Sequence, residues 1–242
     1  MSKPRLVRQW QWGVLSLHMG RLTSTSVLAL IGVVLASACG GGTGSSDDGS
    51  ASLASRSAPP APQPVIGAPP WPAPPDPIAR TVAAGLKPER KEFFAIHLHA
   101  HLDVFVNGEP VEVPAGTGID ITDPGVKRFE DAGGIGYGGI ELCDMPCISP
   151  LHTHDTTGVL HTEAPENETN TLGEFFVEWG VRLDERCVGG FCEPQASIAV
   201  YVDGQRYDGD PAGIALENLR EIAIVIGSFP REVPSTYDFS NA

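Results

Sequence analysis

Six of the chain's seven histidines fall between His97 and His161. They form two runs, His97-Leu98-His99-Ala100-His101 and Leu151-His152-Thr153-His154-Asp155-Thr156-Thr157-Gly158-Val159-Leu160-His161-Thr162-Glu163. A β-strand sends alternate side chains to opposite faces, so spacing at i, i+2 and i+4 stacks imidazoles on one face. Neutral imidazole is a principal ligand for zinc and copper. The pattern therefore predicts a transition-metal site, with His97, His99, His101, His152, His154, His161 and Glu163 as candidate ligands. Asp103 and Asp155 are candidates to accept the second ring N–H and fix the tautomer. A single exposed His-x-His is often only a solvated strand face, and a structural or pH-sensing cluster is the competing reading. Three consecutive polar-face positions all being histidine, in a chain with so few, favours the metal.

The elements that must carry these residues are strands. From Ala95 to Val106 the even positions are apolar (Ile96, Leu98, Ala100, Leu102, Val104, Val106) and the odd positions carry the histidines and Asp103, the alternation of a half-buried strand. Asn107-Gly108 then fits a two-residue type I′ turn returning through Glu109 to Val113. The second run predicts a hairpin turning at 155–158. A four-residue loop with Gly158 left-handed pairs His152 with His161 and puts His152, His154, His161 and Glu163 on one face. A three-residue loop with a glycine bulge would turn His161 away, and the residues permit both. His-x-His on one strand with a third histidine on its neighbour resembles the zinc geometry of carbonic anhydrase, and the resemblance ends there. The spacing to Glu163 does not suit a cupin, and the chain is too short for the barrel of the amidohydrolases.

The first hairpin has a counterpart. Leu102 to Val111 and Ile198 to Tyr207 align without a gap at an offset of 96 residues, each followed by Pro-Ala-Gly, which suggests a duplicated hairpin module. The second copy has Glu193, Gln195 and Ser197 where the first has His97, His99 and His101, so the hairpin does not need histidines to fold. The residues also predict a short helix opening at Asp76-Pro77-Ile78 and ending at Gly85. A second helix is expected behind the capping box Thr171-Leu172-Gly173-Glu174, burying Leu172, Phe175, Phe176 and Trp179 and stopping at Gly180. A buried strand is expected from Glu221 to Ile226. Between Ile119 and Pro150 no period is visible, which predicts a long surface loop, and the tail after Phe229 is expected to be loose. The expected fold is mainly β, α+β with short helices, its two related hairpin modules (92–163 and 193–229) set in a small sandwich- or barrel-like domain over 78–242.

Residues 1–38 are expected to be a lipoprotein signal peptide: Lys3, Arg5, Arg8 and Arg21 precede an apolar run from Val27 to Leu35 that ends in Ala36-Ser37-Ala38-Cys39. Cys39 after small residues resembles the bacterial lipobox, which implies its acylation and a membrane partner through that lipid. Met19 offers an alternative start. The apolar run falls short of the roughly 20 residues a bilayer needs. Residues 39–77, Gly/Ser-rich and then Pro-rich, read as a tether that at about 3 Å per residue reaches on the order of 100 Å. Removing the signal leaves 12 basic against 30 acidic residues, a net charge of −18, which excludes nucleic acid as a partner and suits cations. The remaining cysteines, Cys143, Cys147, Cys187 and Cys192, fit disulfides of an oxidising compartment, with nearest-neighbour pairing expected.

The string HxHxHL, then Val-Pro-Ala-Gly, then LHTHDxxGxxHxE, resembles that of an uncharacterised family of exported or membrane-anchored bacterial and archaeal proteins. The likeness covers about residues 97–180 and implies that these residues matter without implying an activity. The expected function is a lipid-anchored extracytoplasmic protein that binds a divalent transition metal, zinc or copper, for acquisition, buffering or resistance. The alternatives are a zinc-dependent hydrolase or hydratase, with Glu163 or Asp155 as base, and a partner-binding or adhesion module.

Overall fold

The computed structural model describes residues 62–242 except 132, 167 and 168. The expected signal peptide, Cys39 and the Gly/Ser-rich part of the tether lie outside the described residues. Pro77, with its preset φ, opens α1 (Pro77–Ala83), while the Asp76 carboxylate accepts from Arg80 Nε at 3.0 Å instead of capping a backbone N–H. The alternating segment forms β1 (Ile96–Val106), and Asn107 and Gly108, both at positive φ, turn it into β2 (Glu109–Val111) with Val106 opposite Glu109. The stretch expected to be a plain loop instead carries β3 (Lys127–Asp131) and β4 (Gly134–Gly138), an antiparallel ribbon. It also builds its own small core from Ile119, Ile140 and Ile148 around the Cys143–Cys147 disulfide. Every residue of β3 is exposed, so no apolar alternation marks it in the sequence.

Next come β5 (Leu151–His152), β6 (Val159–Ala164) and α2 (Leu172–Trp179). Both halves of the Thr171/Glu174 capping box are made, and Gly180 closes α2 in the left-handed region. A three-stranded ribbon follows, β7 (Leu183–Asp184), β8 (Cys187–Val188) and β9 (Phe191–Cys192), with the Cys187–Cys192 disulfide between its last two strands. Both disulfides are the nearest-neighbour pairs expected. The second hairpin, β10 (Ile198–Val202) and β11 (Gln205–Tyr207), turns at Asp203-Gly204, again both at positive φ. The chain then enters β12 (Arg220–Ile226).

The protein is mainly β. Its main sheet runs β11-β10-β12-β1-β6-β5, with β2 also on β1. The β1/β12 pair is parallel and the other pairs are antiparallel. Among the described residues the outer strands β11 and β5 do not pair with each other, so the sheet is open and not a closed barrel. One face is the core: Ala100, Leu102, Val104, Leu160, Ile222 and Ile224 pack with Leu172, Phe175, Phe176 and Trp179 of α2. The opposite face carries the histidines. The two hairpins lie on either side of β12, but their equivalence ends at Ile198: residues 193–197 leave the sheet, whereas β1 runs on to Ile96 and there pairs with β6.

Two expectations at the chain's ends are corrected. The described part of the Pro-rich tether, 62–77, belongs to the folded body, for Trp71 is only 2% exposed, its carbonyl accepts from Trp179 Nε1 at 2.8 Å, and Val65 bridges to Val181. One large buried aromatic side chain outweighs the extended preference of its proline neighbours. The tail is not loose either: Tyr237 stacks on His101 with ring centroids 3.8 Å apart. Among the described residues no helix is long and apolar enough to cross a membrane.

Candidate metal centre

The register of the sheet assembles the site. On the face away from the core, His97 lies opposite Glu163 and His99 opposite His161 across the β1/β6 ladder. His152 lies opposite His161 across β5/β6. The open question of the second hairpin is thereby settled in favour of the register that keeps His161 and Glu163 with His152. Gly158 holds φ +87 in its loop. His154 follows β5 and reaches back over the same patch. Ligand atoms of His152, His154, His161 and Glu163 all lie within 4.8 Å of one another, and those of His97, His99 and His161 do so as well.

Tautomers follow from the backbone. His152 Nδ1 donates to the Ser149 carbonyl at 2.9 Å, and His154 Nδ1 donates to the Tyr137 carbonyl at 2.6 Å. In the neutral rings both Nε2 atoms then carry lone pairs, and these atoms face each other at 3.4 Å. Two bare acceptors have no hydrogen bond to make. Bonds of about 2.0–2.1 Å to a tetrahedral Zn²⁺ would set two ligand nitrogens about 3.3–3.4 Å apart, which is the spacing here. Around this pair, Glu163 Oε1 lies 3.8 Å from His154 Nε2 and 3.6 Å from His161 Nδ1. His161 Nδ1 and Glu163 Oε2 are buried without a hydrogen-bond partner, a costly arrangement unless something else satisfies them. The ribbon crowds the site: a Cβ at Gly138 would lie 2.9 Å from His154 Nδ1, so only glycine lets β4 bring the Tyr137 carbonyl so near.

Electrostatics prepare the same groups. Burial drives His161 down to about 4 and His152 well below the usual imidazole range, with His154 adding to both shifts. Burial also opposes a charge on His154, yet the neighbouring Glu163 carboxylate and the bond to the Tyr137 carbonyl raise it. For Glu163, burial would push the carboxyl up, but the adjacent His154 and His161 rings and the charge of the neighbouring imidazoles bring it well below the usual carboxylate range. These shifts favour the neutral forms of His152 and His161 and the ionised form of Glu163, the forms that bind a metal.

Three sequence candidates lie apart from this cluster. His101 shares the strand face of His97 and His99, but both its ring nitrogens face oxygens: Nδ1 that of Glu221 at 2.8 Å and Nε2 that of the Thr157 carbonyl at 2.8 Å. With Nε2 donating to the Thr157 carbonyl, Nδ1 faces Glu221 and Asp103, and ligand atoms of these three residues form a third group within 4.8 Å of one another, separate from the cluster above. Burial disfavours a charge on His101, and the Glu221 hydrogen bond and charge outweigh it, raising the pKa. Asp103, 3.7 Å from His101 Nδ1, belongs to this pair and not to the metal centre. Asp155 orients no imidazole; its carboxylate closes its own turn, accepting from the Thr157 backbone N–H at 2.9 Å and from the Thr157 hydroxyl. Backbone carbonyls do the orienting that the two aspartates were expected to do.

Several residues of the site escaped the sequence reading. Glu92, its Oε1 buried and unpartnered, lines a cavity of about 250 Å³ with His97, His154, His161 and Glu163. A second cavity, of about 520 Å³, opens beside His154 and His161 between Asp131 and Tyr237. Below the site, Glu178 is fully buried, and burial raises its carboxyl to about 8 despite hydrogen bonds from Ser149 Oγ at 2.6 Å and Thr81 Oγ1 at 3.3 Å. Glu178 stands three residues after Phe175, on the apolar face of α2, and that position was the available clue. Glu221 opens a buried strand, but its link to His101 depends on the parallel β1/β12 pairing, which no local pattern reveals.

No protein family, curated protein or solved structure matches this chain.

Proposed function

We infer that this is an extracytoplasmic transition-metal-binding protein, anchored by a lipid on Cys39, that takes zinc or copper for acquisition, buffering or resistance. The observation that carries the metal is the pair of Nε2 lone pairs 3.4 Å apart, with the unpaired His161 Nδ1 and Glu163 Oε2 buried beside them. Three imidazoles and one carboxylate are a donor set for borderline divalent ions, and four protein ligands are typical of closed sites that hold a metal rather than turn over substrate. Two disulfides suit an oxidising compartment, and the basic and apolar start of the chain ahead of Cys39 suits export and acylation. The cavity beside His154 and His161 favours a second reading, a zinc hydrolase or hydratase. That reading needs Glu163 to give up its place as a ligand, since Asp155 is committed to its turn.

The test is calorimetric titration of the chelator-treated full chain with Zn²⁺ and Cu²⁺ in buffers of different ionisation enthalpy. Tight binding is expected, with proton release from His154, whose pKa is raised. The H152A/H154A variant should lose at least about 100-fold in affinity. Wild-type affinity in that variant, or no tight binding in the wild type, overturns the reading.

A further inference from the structure

We propose that the centre takes two divalent transition-metal ions: the buried one described above, and a second, solvent-facing one on His97 and His99 that shares Glu163 with the first. This rests on the metal-binding reading. A tetrahedral ion at His152, His154, His161 and Glu163 uses all four of its protein ligands, yet two more imidazoles remain in the same patch. His97 Nε2 and His99 Nε2 face each other at 2.9 Å, close enough to serve as adjacent ligands of one ion. The same His97 nitrogen is 3.2 Å from Glu163 Oε1. Glu163 Oε1 therefore stands between the groups, 3.2 Å from His97 Nε2, 3.6 Å from His161 Nδ1 and 3.8 Å from His154 Nε2, while Oε2 is buried and unpaired, and a carboxylate so placed can be shared by two ions.

The register explains why the pair is available. His97 and His99 sit on the part of β1 that has no counterpart in the second hairpin, directly across from Glu163 and His161. The two positions differ in exposure: the His97 side chain is 38% exposed, that of Glu163 only 3%. The outer ion would thus have two imidazoles, a shared carboxylate and water, an open coordination that exchanges readily, while the inner ion is enclosed. Glu92, whose buried oxygen is unpartnered in the cavity lined by His97, supplies negative charge against a second cation. Ions would arrive at the outer position and be retained at the inner one.

The experiment is Zn²⁺ titration of the chelator-treated full chain, wild type and H97A/H99A, followed by Cu²⁺ loading and electron paramagnetic resonance. Two equivalents are expected in the wild type, the second at least about tenfold weaker, and one equivalent of unchanged tight affinity in H97A/H99A. Carboxylate sharing puts two ions about 3.5–4 Å apart, so the loaded wild type should show a spin-coupled signal that the variant lacks. One equivalent in the wild type, two in the variant, loss of the tight equivalent in the variant, or two magnetically independent coppers overturns the two-ion centre. Loss of the tight equivalent in the variant would move the tight ion to His97 and His99, whereas in the other cases the tight site persists and the single-metal reading stands. If no tight ion binds at all, both readings fall together.

Discussion

His101 and His161 occupy the same face of neighbouring strands, yet their chemistry is opposite. Each is buried, 4% and 7% exposed. His101 has an oxygen at both nitrogens, and one of them belongs to a carboxylate, so its protonated form is favoured. His161 has a buried nitrogen with no protein partner, so its neutral form is favoured and a lone pair is left for a metal. The strand places an imidazole, and the surrounding acceptors decide what it becomes. Residue type and spacing alone would have given both rings the same role.

The sharpest way to break this division is His101→Ala. It leaves the Glu221 carboxylate, 1% exposed, buried without its counter-charge, which costs about 3–5 kcal/mol. Chemical denaturation should register that loss, while the folded variant keeps the zinc stoichiometry of the wild type. Loss of zinc from a folded His101→Ala protein would return His101 to the ligands.

A second prediction uses pH. In the metal-free protein His161 is lowered from its ordinary 6.5 to about 4, so between these values the unfolded chain binds the proton more readily. Stability from this group is therefore present above about pH 6.5 and lost as pH falls toward about 4, by up to ~3 kcal/mol. His101, raised instead, contributes stability that is complete below its unfolded value and is lost as pH climbs through its folded one. Unfolding curves in chelator across pH should show His161→Gln removing the acidic slope and His101→Ala removing the alkaline one. The same slope vanishing in both variants would mean that the two rings titrate as one group.

The smallest effect concerns the cover over His101. Tyr237→Ala deletes a ring stacked at 3.8 Å and should cost about 1 kcal/mol, with metal affinity unchanged. A tenfold fall in zinc affinity would instead show that the tail belongs to the metal centre.

Where each element's own residues carry its pattern, the sequence was readable. The alternation of β1, the positive-φ turns at Asn107-Gly108 and Asp203-Gly204, and the capping box at Thr171 are local, and all three appear as expected. The four candidate ligands His152, His154, His161 and Glu163 were legible for the same reason, since one hairpin register brings them together. What stayed hidden depends on partners distant in the chain. His101 acquires its acceptor from a strand 120 residues away, joined through a parallel pairing that leaves no local mark. The ribbon β3/β4 has no buried alternation to betray it, although it supplies the carbonyl that aims His154. Trp71 lay in a proline-rich context that speaks for extension, and only the tertiary structure shows the pocket that receives it.

That buried tryptophan has a mechanical consequence. A pull on the chain from its N-terminal side meets the Val65–Val181 bridge and the Trp71 plug well before it reaches β1. Both are fastened to α2 and the residues just after it, on the far side of the sheet from the histidines. The load path thus ends in the hydrophobic layer, away from the imidazole face.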